Sequence, residues 1–75
     1  MNKLQAIERA YGPCPNAYPI GLYADATTLA AAGVEGDEAE WWALDGEDEQ
    51  VWLIRSGNFW RVANDSEYIA IFDNL

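Results

Sequence analysis

Four tryptophans, Trp41, Trp42, Trp52 and Trp60, lie between positions 41 and 60 of a 75-residue chain. A chain this short buries only roughly 60% of the surface its unfolded form exposes, so its core is thin. Large rings are one of the few ways for it to bury enough area. Ten residues are aromatic in all, and 51% are apolar. That content argues against a disordered acidic tail, which would lack aromatic and β-branched runs. A single folded domain over residues 1–75 is expected.

The pattern along the chain specifies an α+β fold: an N-terminal helix, an edge strand, a short second helix, then an antiparallel β-meander of about four strands. Asn2 can cap the first helix, with Gln5 three residues on as in a capping box. Leu4, Ile7 and Tyr11 form its apolar stripe, and Gly12-Pro13 stops it. Pro13-Cys14-Pro15-Asn16 is a stiff connector. Residues 17–23 are apolar and extended, and Pro19 confines them to an edge. Asp25 caps a second helix of about two turns that ends at Gly33. Strands follow at Glu40–Asp45, Gln50–Arg55, Phe59–Ala63 and Glu67–Phe72, with Gly, Asn, Asp and Ser in the gaps. Alternation places Trp42, Leu44, Trp52, Ile54, Trp60, Val62, Ile69 and Ile71 on the inner face. The other face (Trp41, Ala43, Val51, Leu53, Arg55, Phe59, Arg61, Tyr68, Phe72) is far from polar. It calls for cover from the 13–23 segment, a partner or a second copy.

Thirteen acids face four bases, with no histidine, for a net charge of −9. Such a body repels nucleic acid and anionic membranes and attracts a protein with a basic groove. Glu35, Asp37, Glu38, Glu40, Asp45, Glu47, Asp48 and Glu49 crowd into 35–49 with no base among them. They suit either a solvated, solubilising loop or a binding surface. The lone Cys14 cannot form an internal disulfide, no apolar run is long enough to span a membrane, and the first residues open no signal peptide. A cytoplasmic location is expected, that of the host cell if the chain is viral.

Catalysis is not expected. Without histidine the commonest general base and metal ligand is missing. Cys14 has no evident activating base. Asp45-Gly46-Glu47-Asp48-Glu49 lacks the loop spacing of a calcium site. No cofactor or metal is called for. A rigid anionic sheet, however, can imitate a polyanion: side chains on one strand face repeat every ~6.6 Å, a spacing comparable with neighbouring phosphates. Glu38 with Glu40, and Glu47 with Glu49, have this spacing if extended. An apolar anchor is also required, because charge alone seldom makes a tight complex.

The order of elements resembles that of the phage-encoded uracil-DNA glycosylase inhibitors, small acidic DNA mimics, over nearly the whole chain. Asp48-Glu49-Gln50-Val51-Trp52-Leu53-Ile54-Arg55-Ser56 is similar to that family's acidic turn and following strand. Asn64-Asp65-Ser66 resembles its last turn, preceded by the strand with Phe59 and Trp60. The resemblance implies that the edge Tyr18-Pro19-Ile20-Gly21-Leu22 and the start of the second helix at Asp25 enter an enzyme's DNA groove. It also implies a cavity, walled by Leu22, Leu29, Ala30, Trp42, Trp52 and Ile54, that takes up a leucine of the enzyme. The family's Glu-Ser-Ile signature is replaced here by Tyr18-Pro19-Ile20, so its glutamate is missing. The expected partner is thus a protein with a basic DNA-binding groove, uracil-DNA glycosylase first. Another anti-defence inhibitor, such as an anti-CRISPR, or an immunity protein for a basic nuclease toxin fits the same charge.

Overall fold

A computed structural model describes residues 1–13, 16–44 and 49–75. Cys14, Pro15, Asp45, Gly46, Glu47 and Asp48 lie outside the described residues, and with them the expectations for the connector thiol and for Glu47 and Asp48. The fold is α+β, with the order α1 (Lys3–Tyr11), β1 (Tyr18–Asp25), α2 (Ala26–Ala31), β2 (Glu38–Ala43), β3 (Gln50–Ser56), β4 (Phe59–Val62) and α3 (Asp65–Asp73). The four strands form one antiparallel meander in the order β1-β2-β3-β4.

The helix caps follow from local chemistry. At α1, Gln5 N–H donates to Asn2 Oδ1 at 2.8 Å and Asn2 N–H donates to Gln5 Oε1 at 2.9 Å, so two orphan donors are satisfied reciprocally. Gly12, at φ 84°, closes the helix by donating its N–H to Glu8 O at 2.7 Å. The buried residues of α1 are Ala6 and Ile7, whereas Leu4 and Tyr11 of the expected stripe stay exposed. Asp25 caps α2 through Thr28 N–H at 2.8 Å, and the Val34 N–H reaches back to Leu29 O at 2.9 Å past Gly33.

The last segment departs from expectation: residues 65–73 form α3, not a fourth meander strand at Glu67–Phe72. Tyr68, Ile69, Ile71 and Phe72 have strand-like composition, but Asn64 and Glu67 repeat the capping box of Asn2 and Gln5. Asp65 and Glu67 also place negative charge in the first turn, where the helix dipole favours it. Tyr68, Ile71 and Phe72 then fall on one helical stripe against the sheet. The fourth strand of the sheet is instead β1.

Strand register overturns the expected division of faces. Trp41 pairs with Trp52 and Trp42 with Val51, so odd positions of β2 share a face with even positions of β3. One face packs Trp41, Trp52 and Ile54 with Ala24, Leu29 and Ile71, under α2 and α3. The other packs Trp42, Leu44, Val51, Leu53 and Trp60 beneath Ala6 and Ile7 of α1. Trp42 and Leu44 are therefore on the opposite side from Trp52, and so are Trp60 and Val62. Neither face needs a partner to cover it, because helices do so on both sides. Gly36 marks how tightly α2 and the sheet meet: a methyl there would overlap Ile54 Cγ2 and stand 3.3 Å from Arg55 O and 3.4 Å from Leu29 Cδ1.

A forked ion pair ties α3 to β4. Arg61 donates from Nη1 to Glu67 Oε1 at 2.7 Å and from Nη2 to Glu67 Oε2 at 2.8 Å. Its Nη2 also donates to Glu35 O at 3.0 Å. The Arg61 hydrogen bonds hold the Glu67 carboxyl below its ordinary 4.5, against the opposing effect of its partial burial. A carboxyl whose folded value is depressed contributes stability that is complete above its unfolded value. That contribution is lost as pH falls below 4.5 and through the lowered folded value. Glu67→Gln is expected to cost about 1 kcal/mol at neutral pH, since the guanidinium is part-exposed and screened, and to flatten the acid limb. Urea unfolding of both proteins from pH 7 to pH 3 measures this, and parallel curves would remove the pair from the acid response.

Candidate protein-binding surface

The surface is organised by the bulge in β1. Tyr18 pairs with Ala43 and Pro19 with Trp42, but the next pairs are Tyr23 with Glu40, Ala24 with Ala39 and Asp25 with Glu38. Ile20, Gly21 and Leu22 thus stand opposite the single Trp41. Gly21, at φ 82°, takes a conformation that L side chains rarely adopt. The extra residues interrupt the ladder and re-aim the side chains around them. Only Ala24 of this strand is buried. Tyr18 is 56% exposed and Tyr23 60%, and Ile20 and Leu22 are also exposed. Four large apolar side chains therefore lie on one free sheet edge, whose bulge and proline disfavour simple strand addition. Tyr18, Ile20 and Leu22 belong to the expected partner edge. Tyr23 does not, because its outward position depends on the bulge, and only Gly21 hints at that in the sequence.

Asp25 follows at the end of the strand, exposed, its pKa held below the ordinary value chiefly by the Thr28 backbone N–H it accepts. It stays anionic at neutral pH beside the exposed tyrosine.

The cavity implied by the resemblance is filled by the protein's own side chains. Leu29, Trp52 and Ile54 are completely buried in one cluster, where Trp52 packs against Trp41 and Phe72 at ring-centroid distances of 5.1 and 5.4 Å. Ala30 and Leu22 are exposed, and Trp42 is across the sheet. Leu29, Trp42 and Trp52 are thus core residues and not an open receptor for a leucine. Volume filling by α3, absent from the expected layout, accounts for the difference.

The phosphate-like pair Glu38 and Glu40 is also partly spent within the molecule. Lys3 Nζ sits 2.8 Å from Glu40 Oε1, and Trp42 Nε1 donates to the same oxygen at 3.1 Å. The Glu40 side chain is only 13% exposed, and Lys3 lies 4.8 Å from the centroid of the Trp60 ring. Glu40 thus fastens α1 to the sheet. Glu38 faces Arg55 Nε at 3.4 Å, and Asp37 accepts from Arg55 Nη1 at 3.4 Å and from the Gly57 N–H at 2.7 Å.

These contacts have an electrostatic consequence. Lys3, Arg55 and Arg61 are each engaged with a carboxylate of the same chain. Three of the four bases thus pair with acids locally, and the nine acids in excess over bases make the outer field anionic. Glu49, the remaining acid of the expected surface, lines an open groove of about 480 Å³ with Asp65, Tyr11 and Tyr68. Among the described residues no group of three or more His, Cys, Asp or Glu is placed to hold a metal ion. No helix among them is long and apolar enough to cross a membrane.

No protein-family model, no curated protein and no solved structure matches the chain.

Proposed function

We propose that this chain acts by binding and not by catalysis: it occupies the nucleic-acid groove of a basic protein in the cytoplasm, blocking it. The observation that carries this reading is the exposed, bulged apolar edge (Tyr18, Ile20, Leu22, Tyr23) on a body of net charge −9 in which three of the four bases are already paired with acids. The anionic field speeds encounter with a Lys- and Arg-lined groove, and the edge side chains provide the anchor that charge lacks. Uracil-DNA glycosylase is the first target to test, given the resemblance in element order. With Leu29, Trp52 and Ile54 buried, the contact runs through β1 and Asp25, and no leucine pocket takes part.

Uracil excision from an oligonucleotide, with the purified chain in excess, tests the named target. Inhibition at micromolar protein, relieved by added salt as screening predicts, is the expected result. Full activity at that concentration would exclude this enzyme.

A further inference from the structure

Arg9 stands apart from the other three bases. Its side chain makes no ion pair or hydrogen bond with any described residue. It lies in the last turn of α1, beside a groove of about 330 Å³ between that helix and β4, within the size range of small-ligand sites. The groove exists because one nine-residue helix covers this face of the four-stranded sheet, and because α1 is slim where it meets β4. Ala6 and Ala10, one turn apart, line it there, and their methyl groups leave room that longer side chains would fill. Trp60 and Val62 of β4 provide the floor. Met1, whose O accepts the Trp60 N–H at 3.0 Å, adds a further apolar side chain. Phe59 is 48% exposed beside them, and no other ring packs on it among the described residues. The wall is mostly apolar, and no Asp or Glu lines it. Arg61 also borders the groove, but its guanidinium is already forked onto Glu67. Arg9 is therefore its one open cation.

We propose that this groove binds a small aromatic monocarboxylate, its ring against Phe59 and the apolar floor, its carboxylate on Arg9. The ring gains an offset or edge contact with Phe59, and a guanidinium takes a carboxylate in a two-pronged contact. One negative charge suits the site best, because a body of net charge −9 repels an anion in proportion to the charge it carries. A bare inorganic anion would gain nothing from the apolar lining, and a neutral ring compound nothing from Arg9. The site borders β4, at the opposite edge of the sheet from β1, and does not depend on the reading of the chain as a binder of a basic protein.

Hydrocinnamate is titrated into the isotopically labelled protein and followed by amide chemical shifts. Hydrocinnamamide, equal in shape but uncharged, and acetate, which has the charge but no ring, are run in parallel. The expected result is saturable shifts at Ala6, Ala10, Phe59 and Val62 with hydrocinnamate, binding about fivefold weaker with the amide, and no saturable shift with acetate. Fivefold is the scale of one exposed charge pair. Arg9 and Ala10 are exposed, so substitutions there keep the fold. Arg9→Gln should abolish the preference for acid over amide, and Arg9→Lys should retain it. Ala10→Glu, which sets a like charge at the rim, should weaken hydrocinnamate by about fivefold or more. Equal affinity for acid and amide, an Arg9→Gln protein that still prefers the acid, or shifts that centre elsewhere or do not saturate would each overturn the proposal. The excision assay reads the β1 surface separately, so failure of either leaves the other standing.

Discussion

Trp52→Ala is expected to remove about 3–5 kcal/mol, a large part of the stability of so short a domain. Trp52 is completely buried at the centre of the sheet, in contact with Trp41 from the neighbouring strand and Phe72 from α3. Phe72 in turn meets Trp41 at 4.9 Å and Tyr68 at 5.2 Å. Removing the indole therefore opens a cavity and takes away the surface on which α3 rests. Truncations of this kind cost about 3–5 kcal/mol, whereas a domain of this length has roughly 4–11 kcal/mol in total. The midpoint of urea unfolding should fall by more than about 1 M. Trp52→Phe separates volume from polarity. The Trp52 Nε1–H is buried with no hydrogen-bond acceptor among the described residues, and an unmet buried donor costs about 1–3 kcal/mol. Phenylalanine loses part of the ring but also that penalty, so its net cost should stay below about 2 kcal/mol. Near-native stability of Trp52→Ala would mean that α3 and the sheet are held together by something other than this ring cluster.

The same cluster explains what could be foreseen from the residues and what could not. Caps were legible because they are local: Asn2 with Gln5, Asp25 before Ala26, and Gly12 after Tyr11 each act within a few residues. The strands at Tyr18–Asp25, Glu38–Ala43, Gln50–Ser56 and Phe59–Val62 were legible for the same reason, from alternation and turn residues, and the one expected at Glu67–Phe72 was not a strand. The faces were not. A change of one residue in the pairing of β2 with β3 moves every side chain to the other side, and that pairing is set across the 44–50 connection, where Leu44 N–H meets Glu49 O at 3.1 Å. Tyr68, Ile69, Ile71 and Phe72 satisfy a strand by composition and a helix by spacing, and the Asn64 and Glu67 box decides in favour of the helix. Once α3 forms, it fills the space beside Leu29 and Trp52, so the candidate pocket closes. Glu40 has a similar history: in sequence it is one acid among many, and only the fold brings Lys3 and Trp42 to it. The edge at Tyr18, Ile20 and Leu22 survives as an exposed surface because it has no strand beyond it.

That edge carries the largest expected functional effect. Ile20→Ala with Tyr23→Ala should raise the concentration needed for half inhibition in the excision assay by about 30-fold to 1,000-fold. Both side chains are exposed, so stability should change by no more than about 0.5 kcal/mol for each, and a lost response cannot be assigned to unfolding. Interface anchors of this kind cost about 2 kcal/mol or more when truncated, and the two sites flank one bulge, so their effects need not add. The acids should behave differently. Neutralising Glu35, whose side chain makes no ion pair among the described residues, removes long-range attraction and should slow association while leaving dissociation nearly unchanged. The edge variants should instead speed dissociation and keep the salt dependence of the parent protein. A double variant that inhibits as well as the parent would show that β1 is a passive edge, and that charge alone, or another face, makes the contact.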